Sequence, residues 1–587
     1  MTQEERILSG AAASKGIGFG KAFVLENKPL EIIERNIDDK DEELRRVEEA
    51  VRRAVEQLEE LRETTRNTIG EEEAEIFEAH KWMLLDPEWT AGIRQRIITD
   101  GKCAEVATEQ TTAAFVEMLA ALEDPYLQAR ALDLRDVSER VLRILLHIET
   151  IDLSRLKGPV ILVAEDLHPS DVAALDPAVI DGMVTRQGSE TSHSAIIARS
   201  LGIPAVMGVV KLSGAVECND RIIVDGDKGE LFINPAVDTQ EDYLLKRKKK
   251  AAFKESLQVF RGKKTQTFDE EEVELVCNIG RAEEAENVTL QDGEGIGLFR
   301  SEFIYFDRKD APEEQEQYRI YAKVLESMEG KPVIIRTLDA GGDKDIPYLN
   351  LPQEMNPFLG QRAIRVCLDR KDLFKTQLRA ILRASVHGNA KIMFPMISTV
   401  TELSSAKEVL QEAREELKAE GAAFNPEVEV GIMMEVPSAA IIADQLAKHV
   451  DFFSIGTNDL VQYTMATDRM NPAVKGLYKP HQPAVVRLIN QVIQAGHQAG
   501  IWVGMCGEAA SNPMMIPLLV GMGLDEYSVS PSCVLETRWL ISKIDRKKAK
   551  KLLPQVLELE GAEEIEESVR QFLKENGIDG KENSDFV

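Results

Sequence analysis

From about residue 270 onward, short apolar runs rich in β-branched residues alternate with helical patterns. That alternation is the strongest constraint on what this chain can fold into. The runs are 273–278, 295–300, 333–338, 391–396, 428–435, 452–456, 502–506 and 525–529. Eight strands, most followed by a helix and spread over roughly 300 residues, predict a (β/α)8 TIM-type barrel, whose chemistry belongs at the strand carboxyl ends. An open doubly wound sheet is the architecture the pattern leaves as an alternative.

The first half has a different character. Residues 38–147 read as helix, with Leu44, Val47, Val51, Ala54, Leu58 and Leu61 recurring at spacings of three and four. Further helical patterns cover 71–85, 104–122 and 127–146, punctuated by Asp86-Pro87 and Asp124-Pro125, as in a helical bundle. On either side lie short strand-like runs at 160–164, 182–185 and 222–226 and a Gly-rich opening at 11–24. The chain is therefore expected to be a multidomain α/β protein. An α/β domain of residues 1–37 and 148–236 receives the bundle 38–147 as an insertion. Residues 237–265, with the basic run Lys246 to Lys250, form a linker helix and hinge, and 266–587 form the barrel. Such a charge run is ordinarily a solvated helix face.

Composition narrows the function. A formal charge of −30 opposes nucleic acid and anionic membranes and suits a partner with a basic surface. The six cysteines contain no Cys-x-x-Cys pair, so neither a disulfide framework nor a zinc site is indicated. The opening Met1-Thr2-Gln3-Glu4-Glu5-Arg6 does not resemble a signal peptide, and no run is long and apolar enough to span a bilayer, so a cytoplasmic protein is expected.

In a barrel, the residues just after each strand line one mouth. Arg300, Arg336 and Arg362 follow in this way, and several guanidinium forks on one mouth imply a small polyanion, although each alone is more often a surface ion pair. Glu435 in Met433-Met434-Glu435-Val436-Pro437 and Asp459 in Gly456-Thr457-Asn458-Asp459-Leu460 supply two carboxylates, the usual protein share of a Mg²⁺ shell. Cys506, in Gly504-Met505-Cys506-Gly507-Glu508, sits among glycines that can keep a thiol accessible; a buried inert thiol is the plainer reading.

The segment Gly188-Ser189-Glu190-Thr191-Ser192-His193-Ser194-Ala195-Ile196-Ile197-Ala198-Arg199 sets one histidine where a polar turn becomes an apolar helix. Ser and Thr ahead of the run are helix-capping residues, and the positive end of the macrodipole then favours an anion on His193. A core or capping histidine is the alternative for any one of the eight histidines.

This loop resembles the phosphohistidine loop of Enzyme I of the phosphoenolpyruvate-dependent sugar phosphotransferase system, shared more loosely with pyruvate phosphate dikinase and phosphoenolpyruvate synthase. The barrel motifs Gly297 to Phe303, Arg336 to Lys344, Asn356 to Arg365, Met433 to Pro437, Gly456 to Leu460 and Gly504 to Glu508 are similar to its phosphoenolpyruvate site. The likeness runs from about residue 8 to about residue 535. The dikinase and synthase carry an additional nucleotide-binding domain and the nitrogen-related paralogue an N-terminal sensory domain; neither is expected here, so the sugar-system enzyme is the expected relative.

The resemblance implies a phosphotransferase that accepts phosphate on His193 from phosphoenolpyruvate with Mg²⁺, releases pyruvate, and passes the phosphoryl group to the carrier protein HPr docked on the bundle. It implies that Arg300, Arg336, Asn458 and Arg469 hold the phosphate and that Arg362 lies beside the substrate. Glu435 and Asp459 would bind Mg²⁺, and Cys506 would protonate the enolate. It further implies a homodimer formed through the barrel. The family loop Gly-Gly-x-Thr-Ser-His has Ser189 in place of its second glycine, and Glu190 precedes Thr191. The family's Thr-Pro-Ser-x-Thr-Ala appears as His168-Pro169-Ser170-Asp171-Val172-Ala173. A non-catalytic relative that binds phosphoenolpyruvate and partner proteins is the rival from another functional class.

Overall fold

The computed structural model describes residues 5–25, 30–68, 71–120, 125–148, 158–167, 175–176, 178–189, 192–306, 308–342, 346–352, 354–469 and 471–578. The chain divides into two compact units, Met1–Lys248 and Lys249–Val587.

In the first unit, strands β1 (Arg6–Ser9), β2 (Ala11–Ser14) and β3 (Ile17–Leu25) precede five helices. These are α1 (Lys40–Thr68), α2 (Glu71–Leu84), α3 (Pro87–Ile98), α4 (Ala104–Ala120) and α5 (Pro125–Leu145). The chain then returns to the sheet as β4 (Val160–Ala164), β5 (Ile180–Thr185), β6 (Ala205–Met207), β7 (Arg221–Asp225) and β8 (Glu230–Ile233), in the order β1-β8-β7-β3-β4-β5-β6-β2. The bundle is thus inserted between two strands that pair in parallel, β3 and β4. The apolar stripe read from the sequence is its seam: Val47, Val51, Ala54 and Leu58 of α1 pack with Phe77, Trp89, Ile93 and Val141. The Asp86-Pro87 break does more than separate two helices: it opens a further one, α3. Asp86 caps it by accepting from the amides of Glu88 and Trp89, and Pro87 occupies the first turn, where its missing N–H costs nothing.

In the second unit, β9 (Glu274–Ile279), β10 (Ile296–Arg300), β11 (Pro332–Arg336), β12 (Asn389–Phe394), β13 (Val430–Met434), β14 (Phe452–Ile455), β15 (Trp502–Met505) and β16 (Glu526–Val529) close into a barrel. Every neighbouring pair is parallel, including β16 with β9, which removes the open-sheet alternative. Leu298, Ile334, Met393, Met433, Phe452 and Cys506, one from each of β10 to β14 and one just past β15, form an apolar cluster. The basic run lies in the helix Val237–Ser256, where Arg247, Lys248 and Lys249 are exposed.

Candidate functional site at the carboxyl end of the barrel

Each expected site residue of the second unit lies at or just beyond the carboxyl end of a strand or in the loop that follows. β10 ends on Arg300, in register with Arg336 at the end of β11. Glu435 follows β13 directly, Asn458 and Asp459 sit in the first turn of the helix Thr457–Met465 after β14, and Cys506 follows β15. Arg362 and Arg469 come from the longer loops behind β11 and β14.

Two buried guanidinium groups organise the centre. Arg362, only 1% exposed, donates from Nε and Nη2 to Asp339 at 2.9 and 3.2 Å and from Nη1 and Nη2 to Asp459 at 3.2 and 3.0 Å. Its Nη1 also reaches the Tyr463 hydroxyl at 3.1 Å. Arg336 donates to Glu302 at 2.5 Å and lies 3.2 Å from Asp339. Burial by itself would favour loss of the proton from both arginines. The carboxylates around them outweigh it and hold both firmly charged. Arg336 still has a spare donor: its Nε is buried with no hydrogen-bond partner among the described residues.

Glu435 is almost fully buried, and its Oε1 accepts from the Met396 amide at 2.6 Å. Met396 adopts φ 57°, a conformation non-glycine residues rarely enter, and its N–H is held on this carboxylate. Burial, then the charges of Asp459 and Asp339, push the Glu435 carboxyl up to about 8. This donor set fits a divalent cation. A 2+ charge would relieve the crowding of the carboxylates, and two protein carboxylates with substrate and water completing the shell is a Mg²⁺ pattern. Among the described residues no group of three or more His, Cys, Asp or Glu is arranged to hold a metal, so a cation here would take most of its shell from substrate and water.

Arg300 is exposed at the end of its strand, and its guanidinium lies 5.9 Å from the Phe303 ring centroid. Arg469 lies 3.8 Å from Asp459 and 6.0 Å from the ring of Phe358. Asn458 exchanges hydrogen bonds with Glu508: its amide donates to Oε1 at 3.1 Å, and its oxygen accepts from the Glu508 backbone at 3.2 Å. Of the two readings of Cys506, accessible among glycines or buried, the structure has the buried one. Cys506 is 5% exposed, with Sγ 3.8 Å from the Ile455 carbonyl, and burial pushes its thiol up to about 12. The neighbouring glycine serves backbone packing instead: a Cβ on Gly507 would lie 1.9 Å from Thr457 Oγ1.

In the first unit, His193 opens the helix His193–Leu201. Ser192 is its N-cap, with φ −65°, ψ 152° and Oγ accepting from the Ala195 amide, and Gly202 in the left-handed region ends it. Ser194 Oγ donates to the Leu167 carbonyl at 2.5 Å, tying the first turn to the loop just beyond β4. His168, Val172, Glu190 and Thr191 lie outside the described residues.

Asp339 and Glu302 join the site without a role that the sequence alone assigns them. Both stand inside quoted motifs, and the spacing Arg336 to Asp339, i to i+3 just past a strand end, was the available signal.

Three family models match the chain in order: the PEP-utilising enzyme N-terminal domain at 9–130, the mobile domain at 156–229 and the PEP-binding domain at 254–546. Proteins named phosphoenolpyruvate-protein phosphotransferase from Priestia megaterium and Bacillus subtilis (strain 168) are each 46% identical to it. They align over 97% of this chain and 99% and 100% of their own lengths. The Geobacillus stearothermophilus protein of the same name is 47% identical over 97% of this chain and 98% of its own. A solution structure titled Enzyme I (nEIt) aligns with 41% of this chain and 98% of its own, at 38% identity and a TM-score of 0.38.

Proposed function

The chain belongs to the phosphoenolpyruvate-utilising enzymes, in the group named phosphoenolpyruvate-protein phosphotransferase, and on that premise we propose which residues carry the transfer. His193 is the phosphoryl acceptor, phosphoenolpyruvate binds at the carboxyl mouth of the barrel, and the phosphoryl group then leaves for the carrier HPr. The observation that carries this reading is the gathering of Arg336, Arg362, Glu435, Asp459 and Cys506 at one end of one barrel, from segments far apart in sequence.

Arg300, Arg336, Asn458 and Arg469 hold the phosphate, and the spare Nε of Arg336 is a donor available to it. Arg362, fixed on Asp339 and Asp459, lies beside the substrate. Glu435 and Asp459 would hold Mg²⁺, which when bound neutralises charge on the phosphoryl oxygens. The imidazole of His193 attacks phosphorus in line. The P–O bond to the enol oxygen breaks, and its electron pair stays with the enolate. Cys506 gives its proton to the enolate carbon, forming pyruvate and leaving a thiolate to be reprotonated from solvent. A thiol held near 12 keeps its proton at neutral pH, the form a carbon acid-forming step requires. The N-terminal end of the helix His193–Leu201 favours the dianion that the phosphorylated imidazole carries.

The same proposal divides labour as the sequence suggested: 1–37 with 148–236 as the phosphohistidine domain, 38–147 as the HPr-docking bundle, 237–265 as hinge, and 266–587 as the substrate and dimerisation domain. A cytoplasmic location belongs to it as well. Among the described residues no helix is long and apolar enough to cross a membrane.

Incubation with ³²P-labelled phosphoenolpyruvate and Mg²⁺ tests the assignment. Acid-labile label should appear on the wild type and be absent from His193→Ala at unchanged fold. Label persisting on that variant sinks it.

A further inference from the structure

The opposite end of the barrel, where the strands begin, holds a second chamber that the transfer reaction does not use. Glu274 at the start of β9, Lys391 of β12, Glu429 ahead of β13, Trp502 opening β15, and Asp525 and Glu526 at β16 surround a cavity of about 630 Å³. Glu526 is 1% exposed, and its Oε1 has no hydrogen-bond partner among the described residues. Two neighbouring acids of the wall, Asp525 and Glu429, are engaged. Asp525 accepts from His497 Nε2 and the Val503 amide, each at 2.8 Å. Glu429 accepts from Lys391 Nζ at 2.9 Å and from Trp502 Nε1 at 3.2 Å. A buried carboxyl oxygen in the wall of a cavity without a donor lacks one hydrogen bond, and the surplus of six lining acids over two lysines, Lys391 and the Glu272-paired Lys264, favours a cationic donor.

The walls indicate what sort of cation. Lys391 Nζ already sits 4.5 Å from the Trp502 ring centroid, so this chamber accommodates an ammonium against an aromatic face. The indole is itself stacked on Phe452 at 4.5 Å, giving a rigid apolar wall suited to methylene groups. A bare metal ion suits the site less, because among the described residues no three donors converge on one position. Glu274 stands in register with Glu526 on the adjacent strand, toward the cavity's rim. We propose that this amino-terminal chamber binds a small aliphatic diamine, one ammonium donating to Glu526 and the other reaching Glu274, with Trp502 against the carbon chain.

Glu526 is held protonated to about 8 by burial, then by the charge of Glu274, with Asp525 and Glu429 adding and Lys391 opposing. Ammonium binding would draw off that proton, so affinity should rise with pH between 6 and 8, accompanied by proton release.

Titration calorimetry of the full chain with 1,4-diaminobutane tests this. Wild type should bind one diamine per chain, and Glu526→Gln should lose about tenfold or more, the worth of one charge-assisted hydrogen bond. Lys391→Met, which removes the internal competitor, should bind severalfold tighter, so the idea remains testable if the first variant does not fold. Phosphorylation by phosphoenolpyruvate should be unchanged in Glu526→Gln, which separates this site from the transfer site. No saturable binding to wild type at millimolar diamine overturns the proposal. So does equal affinity in Glu526→Gln, or Lys391→Met binding no tighter than wild type.

Discussion

Asp339→Asn should destabilise the barrel unit strongly, because one carboxylate compensates two buried guanidinium groups. It accepts from Arg362 Nε at 2.9 Å and Nη2 at 3.2 Å, and its Oδ2 lies 3.2 Å from Arg336. Asn keeps the shape and one acceptor but removes the charge and turns two N–H groups toward two cations. A hydrogen bond to a charged group is worth about 1.5–3 kcal/mol, and stripping one partner from a buried pair costs about 3–5 kcal/mol. Asp459 and Glu302 still hold the other side of each arginine, so the loss should fall near 3 kcal/mol rather than at the sum. Urea unfolding followed by fluorescence, with the barrel transition carried by Trp502 and Trp539, measures it. Asp444→Asn, an exposed acid of the same unit, is the control and should shift stability by less than about 0.5 kcal/mol. An effect below about 1 kcal/mol for Asp339→Asn would show that the network is not what holds the arginines, and the reasoning about Arg362 would fail with it.

Cys506→Ala should slow turnover while Mg²⁺-dependent phosphoenolpyruvate binding stays near wild type, since the thiol carries no binding charge; equal loss of both would make Cys506 structural. Alkylation by iodoacetamide at pH 8 should label exposed Cys218 first and leave Cys506, Cys277 and Cys367 slow, because burial raises all three thiols. Peptide mapping decides, and early labelling of Cys506 contradicts its burial. Glu526 has a folded pKa raised above its unfolded value, so the folded state holds the extra proton. Stability should therefore decline as pH rises from about 4.5 to about 8 and level off beyond. Glu526→Gln should remove that slope, gaining at most about 1.4 kcal/mol per pH unit relative to wild type; parallel pH profiles would refute the shift.

Much of the architecture was written locally. The alternation of strand and helix patterns identified all eight barrel strands, because each requires only a run of apolar residues between turn formers. The stripe on α1 was legible for the same reason, since a helix repeats its face every three or four residues. Strand ends were less so. Leu338 reads as strand, yet its amide donates to Gln377 Oε1 and the ladder has already ended at Arg336, a choice made by a side chain 39 residues away. Arg300, Arg336, Arg362, Glu435, Asp459 and Cys506 are nameable from type and position because parallel barrels bring strand ends together whatever the loops do, whereas Asn458 and Arg469 rest on the family resemblance alone.

What those residues do to one another was decided only by folding. Arg362 lies 97 residues from Asp459 in sequence, and no pattern in the chain says that they pair or that Asp339 closes the bridge. The burial of Cys506 was equally hidden, since glycine neighbours permit either an open thiol or a tight backbone approach, and the closeness of Thr457 selects the second. Closure itself, β16 against β9 across some 250 residues, creates the low-dielectric interior that raises Glu435, Cys506 and Glu526. Composition and order set which groups are available. Their charge states belong to the tertiary structure, because desolvation and long-range Coulomb terms exist only once distant segments have packed.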